Sequence, residues 1–446
     1  MEKDNKLEKI VSLCKRRGFV FQGSEIYGGL AGIFDYGPYG VELRHNIKQY
    51  FWQKFISERE DVYGMGAAIL MPAKVWEASG HMELFTDPLV ECKICHERVR
   101  ADQLEAIADH EKTHKNEKEK IEWTEPTTFN LLVGSKLGAS EKTAIQVYLR
   151  GEITQGVHVN FKNILDSRHP KIPFGIGQIG KAFRNEITPR DFLFRQREFE
   201  QMELQYYIKP NDEEGDKQYE YWKQFAFDWY LDLGFKKENL RWRQHAKDEL
   251  AHYAKDAWDI ECNTFGGWKE AMGLHHRRDW DLRRHSEYSN VDMSYYDEET
   301  KKRFIPWDIE CSGGVDRTFL FLMHEAYTED ELGGEKRVYL KFVPKMAPVK
   351  CAVFPLLKNK PQLVEKAREI YKILKKEFSA VEFDDNGNIG KRYRRQDEIG
   401  TPFCITVDFD TLEKSFGVTV RDRDTGKQER VSENNLISYL KEKFAY

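Results

Sequence analysis

A stretch of alternating charged and aromatic residues, QIGKAFRNEITPRDFLFRQREFEQMELQY at 178–206, contains the side chains that a nucleotide site needs. The alternation predicts two antiparallel strands joined by a charged loop, with Arg184 and Glu186 on the first strand and Phe199 and Glu203 on the second. Arginine suits phosphate oxygens, an aromatic ring suits a base, and a carboxylate accepts a hydrogen bond from an amine. The same pattern also fits an exposed amphipathic hairpin with incidental ion pairs.

A second candidate ligand site lies where a strand meets a helix, in FIPWDIECSGGVDRTFLFLMH at 304–324. The predicted strand ends in Glu310, two glycines follow, and a helix is predicted to begin near Val315. Glycine lets the backbone approach a ligand closely, and a helix N-terminus favours anions. No Gly-Lys-Ser or Gly-Lys-Thr follows, which excludes a Walker A loop.

Several elements must position these two stretches. Residues 41–59 predict a helix, because Leu43, Ile47, Phe51 and Phe55 recur at intervals of four, and a short apolar strand then ends near a proline. From residue 344 onward, strands alternating with helices predict a small α/β domain with a mixed sheet.

Composition places the chain among folded proteins with ample core. It has 446 residues, a net charge of −5 and 33% charged residues, which favours two or three domains and does not by itself indicate a nucleic-acid binder. Seven scattered cysteines favour a reducing compartment, and no run is long enough to span a bilayer. The N-terminus lacks an apolar signal region, so we expect a cytoplasmic location.

The chain resembles a known family at these same positions. Phe183-Arg184-x-Glu186, a loop, then a second strand beginning with Arg195-x-x-x-Phe199 and continuing to Glu203 is similar to motif 2 of the class II aminoacyl-tRNA synthetases. The wording FRNEITPRDFLFRQREFEQMEL resembles the glycyl-tRNA synthetases of the dimeric type. The strand, glycines and helix around Arg317 resemble motif 3, and the helix and strand of 41–72 resemble motif 1, although an ordinary core helix and strand would look the same.

The resemblance implies a fold and an activity. The fold would be α/β (α+β), with a class II antiparallel-sheet catalytic domain at 1–343, insertions at about 92–145 and 207–303, and an α/β anticodon-binding domain at 344–446. The activity would be ATP-dependent activation of glycine to glycyl-adenylate and pyrophosphate, with Mg²⁺, followed by transfer to the 3′ end of tRNA(Gly). Motif 1 would form a homodimer. Another class II synthetase, or a non-catalytic synthetase-like nucleic-acid-binding protein, remains an alternative.

The resemblance also implies site residues. The catalytic residues would be Arg184 and Arg317. The ATP-binding residues would be Arg184, Asn185, Glu186, Phe194, Arg195, Phe199, Glu270, Ala271, Gly314 and Arg317. The glycine-binding residues would be Arg100, Glu152, Phe199, Glu200, Gln201, Met202, Glu203, Glu310, Ser312 and Gly314.

Roles follow for some of these residues. Arg184 would hold the α-phosphate, Phe199 and Arg317 would sandwich adenine, and Glu270 would lie near Mg²⁺. The segments HYAK at 252–255 and RRDWDLRRH at 277–285 would lie beside the active site.

The amino-acid pocket must recognise an ammonium group and exclude any side chain. We place Glu152, Glu203, Glu310 and Ser312 around the ammonium, and we expect their crowding to raise the pKa values of the carboxyls in the free site. The family usually has Arg-Pro-Glu-Thr-Ala-Gln-Gly where this chain has RGEITQG at 150–156. The carboxylate still aligns, but the shape of the corner is open.

Two further hypotheses concern metal and RNA. Cys92-x-x-Cys95 with His110 and His114 has spacing close to that of a zinc finger, yet the charged composition of 103–122 equally fits a surface helix and two free thiols. We therefore assign no metal ligand and leave zinc open. In the C-terminal region, basic residues could contact tRNA or lie in a solvated loop; they are Arg392, Arg394 and Arg395.

Overall fold

The computed structural model describes residues 5–114, 121–247, 249–250, 254–413 and 416–444. Its helices are α1 (Asn5–Arg17), α2 (Pro38–Trp52), α3 (Ala73–Ala78), α4 (His81–Leu84), α5 (Leu104–Thr113), α6 (Thr154–His158), α7 (Phe161–Arg168), α8 (Asp212–Asp232), α9 (Trp280–Ser289), α10 (Val315–Ala326), α11 (Pro361–Glu377), α12 (Ile389–Ile399) and α13 (Glu433–Phe444).

The described strands lie between these helices in runs of one to three. They are β1 (Val20–Gln22), β2 (Phe34–Tyr36), β3 (Val62–Met65), β4 (Leu70–Pro72), β5 (Thr86–Glu91), β6 (Arg98–Arg100), β7 (Thr127–Asn130), β8 (Val133–Leu137), β9 (Ile145–Leu149), β10 (Phe174–Phe183), β11 (Glu198–Ile208), β12 (Leu240–Gln244), β13 (Asp256–Thr264), β14 (Gly267–Arg278), β15 (Tyr295–Asp297), β16 (Lys302–Phe304), β17 (Trp307–Gly314), β18 (Tyr327–Leu332), β19 (Glu335–Leu340), β20 (Cys351–Pro355), β21 (Val381–Phe383), β22 (Phe403–Val407), β23 (Val418–Asp422) and β24 (Gln428–Val431).

A seven-stranded sheet carries the candidate site. Its order is β12-β13-β14-β17-β11-β10-β3, and each pairing is antiparallel except that of β10 with β3. This arrangement confirms the predicted antiparallel-sheet fold. The strand that ends in the two glycines, β17, is the direct neighbour of the hairpin strand β11, and their pairing places Glu203 opposite Ser312.

The predicted hairpin is present, but its regular strands are shorter than expected. β10 ends at Phe183 and β11 begins at Glu198, so Arg184, Glu186 and Arg195 lie in the connection and not on the strands. The reason is a change of hydrogen-bond partner, because the N–H of Asn185 donates to the carbonyl of Leu131 (2.8 Å), away from β11. The connection is therefore anchored to a neighbouring segment.

The main core lies between this sheet and the helices α1, α2, α8 and α10. Leu43, Ile47, Phe51 and Phe55 are fully buried in it, which confirms the helix predicted over 41–59. The helix begins three residues earlier than predicted and ends in a π-helical turn at Gln53–Ser57.

The C-terminal region has a second core and a second sheet. Its order is β21-β20-β22-β23-β24, with parallel pairings of β20 to β21 and β22 and antiparallel pairings beyond, so the predicted mixed sheet is confirmed. Strand β24 was not anticipated from the sequence. Arg423 joins the two regions, because its guanidinium donates to the carbonyls of Gly400 (2.7 Å) and Phe342 (2.8 Å).

Both predictions for Arg392, a contact with tRNA and a position in a solvated loop, are wrong. It lies in α12, is 1% exposed, and donates to backbone carbonyls including those of Gly387 (2.7 Å) and Asp385 (3.0 Å). A guanidinium enclosed by carbonyl groups stabilises the turn before α12, and its burial keeps it from contacting RNA.

None of the described helices is both long and apolar enough to cross a membrane.

Candidate active site

A cavity of about 410 Å³ opens on the face of the seven-stranded sheet, within the range of small-molecule sites. Most of the residues predicted from the sequence line it: Arg100, Glu152, Arg184, Glu186, Phe194, Arg195, Phe199, Glu200, Gln201, Glu203, Glu270, Glu310, Ser312, Gly314 and Arg317. Three predicted residues lie outside the lining. Met202 and Ala271 are buried in the main core, and Asn185 is exposed beside the cavity.

Arg184 lies between two aromatic rings at the cationic end of the cavity. The centre of its guanidinium is 5.1 Å from the ring centroids of both Phe85 and Phe199, and its Nε donates to the carbonyl of Gly151 (3.1 Å). Ring faces attract a guanidinium and leave its edge free for other partners. The contacts therefore fix the plane of the cation while its outer N–H groups remain available to a phosphate.

Arg317 is held in a similar way in the first turn of α10. Its guanidinium lies 4.6 Å from the ring centroid of Phe194, and its Nη1 lies 3.0 Å from Oε1 of Glu270. Phe199 and Arg317, which we expected to enclose adenine together, each contact a different partner in this structure. The sandwich thus stays a prediction for the nucleotide-bound site.

Asp316 links the third candidate motif to the second and first. Its Oδ2 accepts from the backbone N–H of Glu200 (2.6 Å), and its Oδ1 lies 3.2 Å from Nε of Arg44. The carboxylate of Glu200 pairs with Arg44 (3.0 Å) and Lys48 (3.1 Å) on α2. Sequence reasoning missed Arg44 and Lys48, although their i, i+4 spacing beside the apolar ladder of α2 was a usable signal.

The opposite end of the cavity is a buried cluster of carboxyl groups. Oε1 of Glu203 accepts from the hydroxyl of Ser312 (2.7 Å), and its Oε2 accepts from the hydroxyl of Thr154 (2.6 Å). The same Thr154 hydroxyl is 3.1 Å from Oε2 of Glu310. Glu152 lies two residues before α6, and His81 Nε2 is 3.2 Å from its Oε2.

Buried cations divide these carboxyls into two protonation classes. Although burial raises the pKa of Glu310, Arg277 (3.1 Å) and His275 (2.7 Å) hold it below its ordinary value. Burial is likewise outweighed at Glu152, where His81 and Arg277 lower the pKa to about 2.

The pKa of Glu203 is shifted in the opposite direction. Burial first, and then the negative charges of Glu310 and Glu152, raise the pKa of Glu203 to about 8. The expectation that crowding would raise the pKa of every carboxyl in the cluster is therefore wrong for Glu152 and Glu310 and holds for Glu203.

Arg277 and Asp281 underlie this division. Arg277 is 2% exposed, and its Nε and Nη2 donate to the two carboxylate oxygens of Asp281 (2.9 and 3.0 Å). Both residues belong to the segment RRDWDLRRH, which the sequence placed near the site without assigning roles. Of the other such segment, residues 252–253 lie outside the described part, and Lys255 pairs at the surface with Asp212 (2.7 Å) and Asp216 (2.9 Å).

Arg100 reaches the cavity from the first insertion. It lies at the end of β6, where its Nη1 is 2.5 Å from Oδ2 of Asp87 and its Nη2 is 2.7 Å from Oδ2 of Asp102. The same insertion brings the four candidate metal ligands together, because one ligand atom each of Cys92, Cys95, His110 and His114 lies within 4.8 Å of the others.

Comparisons with known proteins relate the chain to one family. A family model described as an anticodon binding domain matches residues 350–443. The chain is 50% identical to the glycine–tRNA ligase of Caldanaerobacter subterraneus subsp. tengcongensis, with 99% of each chain covered, and 48% identical to that of Thermobifida fusca, again with 99% of each covered. It is 47% identical to the glycine–tRNA ligase of Treponema denticola, with 98% of this chain and 96% of the relative covered.

Proposed function

Because the chain belongs to the glycine–tRNA ligase family, we infer that the cavity on its seven-stranded sheet is where ATP activates glycine for attachment to tRNA. The observation that supports this site is the pairing of a cationic end, with Arg184 and Arg317, and a buried anionic end, with Glu203 and Glu310. The matches to glycine–tRNA ligases do not favour the alternatives of another class II synthetase or a non-catalytic protein.

The first step is the attack of a glycine carboxylate oxygen on the α-phosphorus of ATP. A new P–O bond forms, the bond to the β-phosphate oxygen breaks, and pyrophosphate leaves with its electron pair. Such transfers depend on position and on neutralisation of charge. Arg184, oriented by its two ring contacts, neutralises the α-phosphate as charge develops, and Arg317 binds the outer phosphates.

The glycine ammonium binds at the carboxyl cluster. Glu203 and Ser312 are hydrogen-bonded to each other, and Glu310 and Glu152 supply fixed negative charge nearby. A pocket shaped around an ammonium and a hydrogen atom excludes larger side chains sterically. A binding site rejects a larger amino acid more strongly than it rejects a smaller one.

The family uses a divalent ion with ATP, and the donor set of this cavity fits one. Arg317 keeps the pKa of Glu270 below its ordinary value, so a carboxylate is available beside the cation that would bind the outer phosphates. We propose Mg²⁺, a hard cation that favours carboxylate and phosphate oxygens and neutralises the charge of the departing pyrophosphate.

In the second step, a hydroxyl at the 3′ end of tRNA(Gly) attacks the activated carbonyl. The new ester bond forms, the bond from carbonyl carbon to phosphate oxygen breaks, and the proton leaves on AMP. The matched anticodon-binding region at 350–443 holds the other end of the tRNA.

Three further assignments belong to this proposal. We propose the domain division at 343/344, although Met346, Ala347 and Val349 still pack in the main core and the second core begins at Cys351. We propose the cytoplasm as the compartment, because free cysteines and tRNA charging coexist there. A homodimer is supported by exposed apolar residues near α2 and β4, including Val41 (51%) and Ile69 (37%). Ile69→Glu should then shift the sedimenting mass towards that of a monomer, and an unchanged mass would contradict this interface.

The test of the function is glycine-dependent exchange of pyrophosphate into ATP by the purified protein. Exchange should require glycine and should not occur with serine, threonine, proline or histidine. Exchange stimulated by one of those amino acids, or none with any, would contradict the proposal.

A further inference from the structure

Two cysteines and two histidines from separate elements meet outside the active site. Cys92 and Cys95 lie in the turn between β5 and β6, whereas His110 and His114 lie one helical turn apart at the end of α5. Cys95 Sγ is 3.4 Å from His110 Nε2, and Cys92 Sγ is 3.8 Å from His114 Nε2. The two Nε2 atoms are 3.2 Å apart.

These separations match the edges of a zinc tetrahedron. Zn–S bonds of about 2.3 Å and Zn–N bonds of about 2.0 Å place sulfur and nitrogen ligands about 3.5 Å apart and two nitrogens about 3.3 Å apart. A spacing of two residues between the cysteines and three between the histidines is also the spacing of structural zinc sites.

The surroundings of His110 point to a metal ligand. Its Nδ1 lies 3.2 Å from a carboxylate oxygen of Glu97, so the proton of a neutral ring belongs on Nδ1 and the lone pair of Nε2 faces the cluster. An outer carboxylate of this kind is the usual support of a metal-bound histidine.

The packing of α5 gives a second, independent indication. Among the described side chains of α5, only His110 is buried (7% exposed), whereas Leu104 is 77% exposed. An amphipathic helix normally docks through apolar side chains. Here the docking contact is a histidine facing two thiols, which is the arrangement that a metal stabilises.

We propose that Cys92, Cys95, His110 and His114 form a tetrahedral Zn²⁺ site, and that this site positions Arg100 at the active-site cavity. The cysteines lie on one side of Arg100 in the sequence and the histidines on the other. Zinc therefore closes a loop around the segment of Arg100, whose own contacts are with Asp87 and the adjacent Asp102. The positioning role rests on the proposed function, but the metal site does not.

Metal content tests the site itself. The purified full-length protein should contain about one equivalent of zinc per chain, and Cys95→Ser and His110→Ala should each lose it. His96→Ala is the matched control, because His96 lies in the same turn but pairs with Glu91 (3.0 Å) and should leave zinc in place. Absence of zinc from the unaltered protein, or equal loss in His96→Ala, would overturn the proposal.

Cobalt substitution provides a readout that does not depend on a variant folding. Co²⁺ added to the zinc-depleted protein should give the visible and near-ultraviolet bands of a tetrahedral ion with thiolate ligands. An octahedral spectrum without thiolate bands, or a Cys92–Cys95 disulfide found by mass spectrometry in the protein as isolated, would overturn the site.

The positioning role has its own kinetic test in pyrophosphate exchange. Zinc depletion should raise the apparent KM for glycine about tenfold and change that for ATP much less, because only the segment of Arg100 is displaced. Unchanged values for both would overturn the positioning role. Stoichiometric zinc in a protein without glycine-dependent exchange would instead confirm the site and contradict the proposed function.

Discussion

The guanidinium of Arg277 donates to Oε2 of Glu310 at 3.1 Å, and the two residues are only 2% and 3% exposed. Arg277 keeps Glu310 ionised at the anionic end of the cavity, and its own positive charge balances that of the carboxylate. At the neighbouring Glu203, burial and then the negative charges of Glu310 and Glu152 raise the pKa to about 8, so this carboxyl keeps its proton at neutral pH. Binding of an ammonium would displace that proton.

The first prediction concerns the pH dependence of glycine binding. Below about pH 8, Glu203 must release a proton before it can pair with the ammonium, so the KM for glycine should fall as pH rises from 6 to 8, by up to about tenfold per pH unit. Pyrophosphate exchange measures this, with the KM for ATP as the internal control. Glu203→Gln should weaken glycine binding and remove the slope, and a slope that persists in this variant would assign it to another group.

The second prediction concerns stability. Arg277→Met removes the arginine that Asp281 and Glu310 share, and leaves Glu310 with His275 and Asp281 with the amide of Gln155. The loss of this buried cation should lower the free energy of unfolding by about 3–5 kcal/mol. Arg283→Met is the matched control on the same segment, because Arg283 is exposed and its ion-pair distances are 3.9 Å. Urea denaturation compares the two variants, and equal stabilities would contradict the structural role of Arg277.

The third prediction concerns the cationic end of the cavity. Arg184→Met should reduce the rate of pyrophosphate exchange by about 10²–10³-fold, since one preorganised charge at the transition state is lost. Arg190→Met, in the same connection, should leave exchange unchanged, because Arg190 is exposed and its described ion-pair partner is Asp191 at 4.0 Å. Similar rates for the two variants would remove Arg184 from the phosphate site.

The fourth prediction separates two arginines of α12. Arg392→Met should lower the unfolding temperature without a specific effect on tRNA, because its donors are used by backbone carbonyls. Arg394→Met should leave the unfolding temperature unchanged and weaken salt-dependent tRNA binding, because Arg394 is partly exposed and pairs with the exposed Glu335. A reversal of these effects would contradict the assignment.

Much of the fold could be predicted because its signals are local. The four-residue ladder of α2, the alternation of β10 and β11 and the glycines before α10 are each written within one short stretch of chain. The strand boundaries could not be predicted locally, because the end of β10 depends on a hydrogen bond to Leu131, which is more than 50 residues distant in sequence.

Local sequence patterns are enough to place Arg184 and Phe199 on one hairpin and to show which family the motifs resemble. Long-range packing is needed to show that Arg277 neutralises Glu310 while Glu203 keeps its proton, and that His110 lies beside Cys95. Charge interactions and metal geometry depend on distances of a few ångströms between residues far apart in the chain, and no pattern of local spacing encodes those distances.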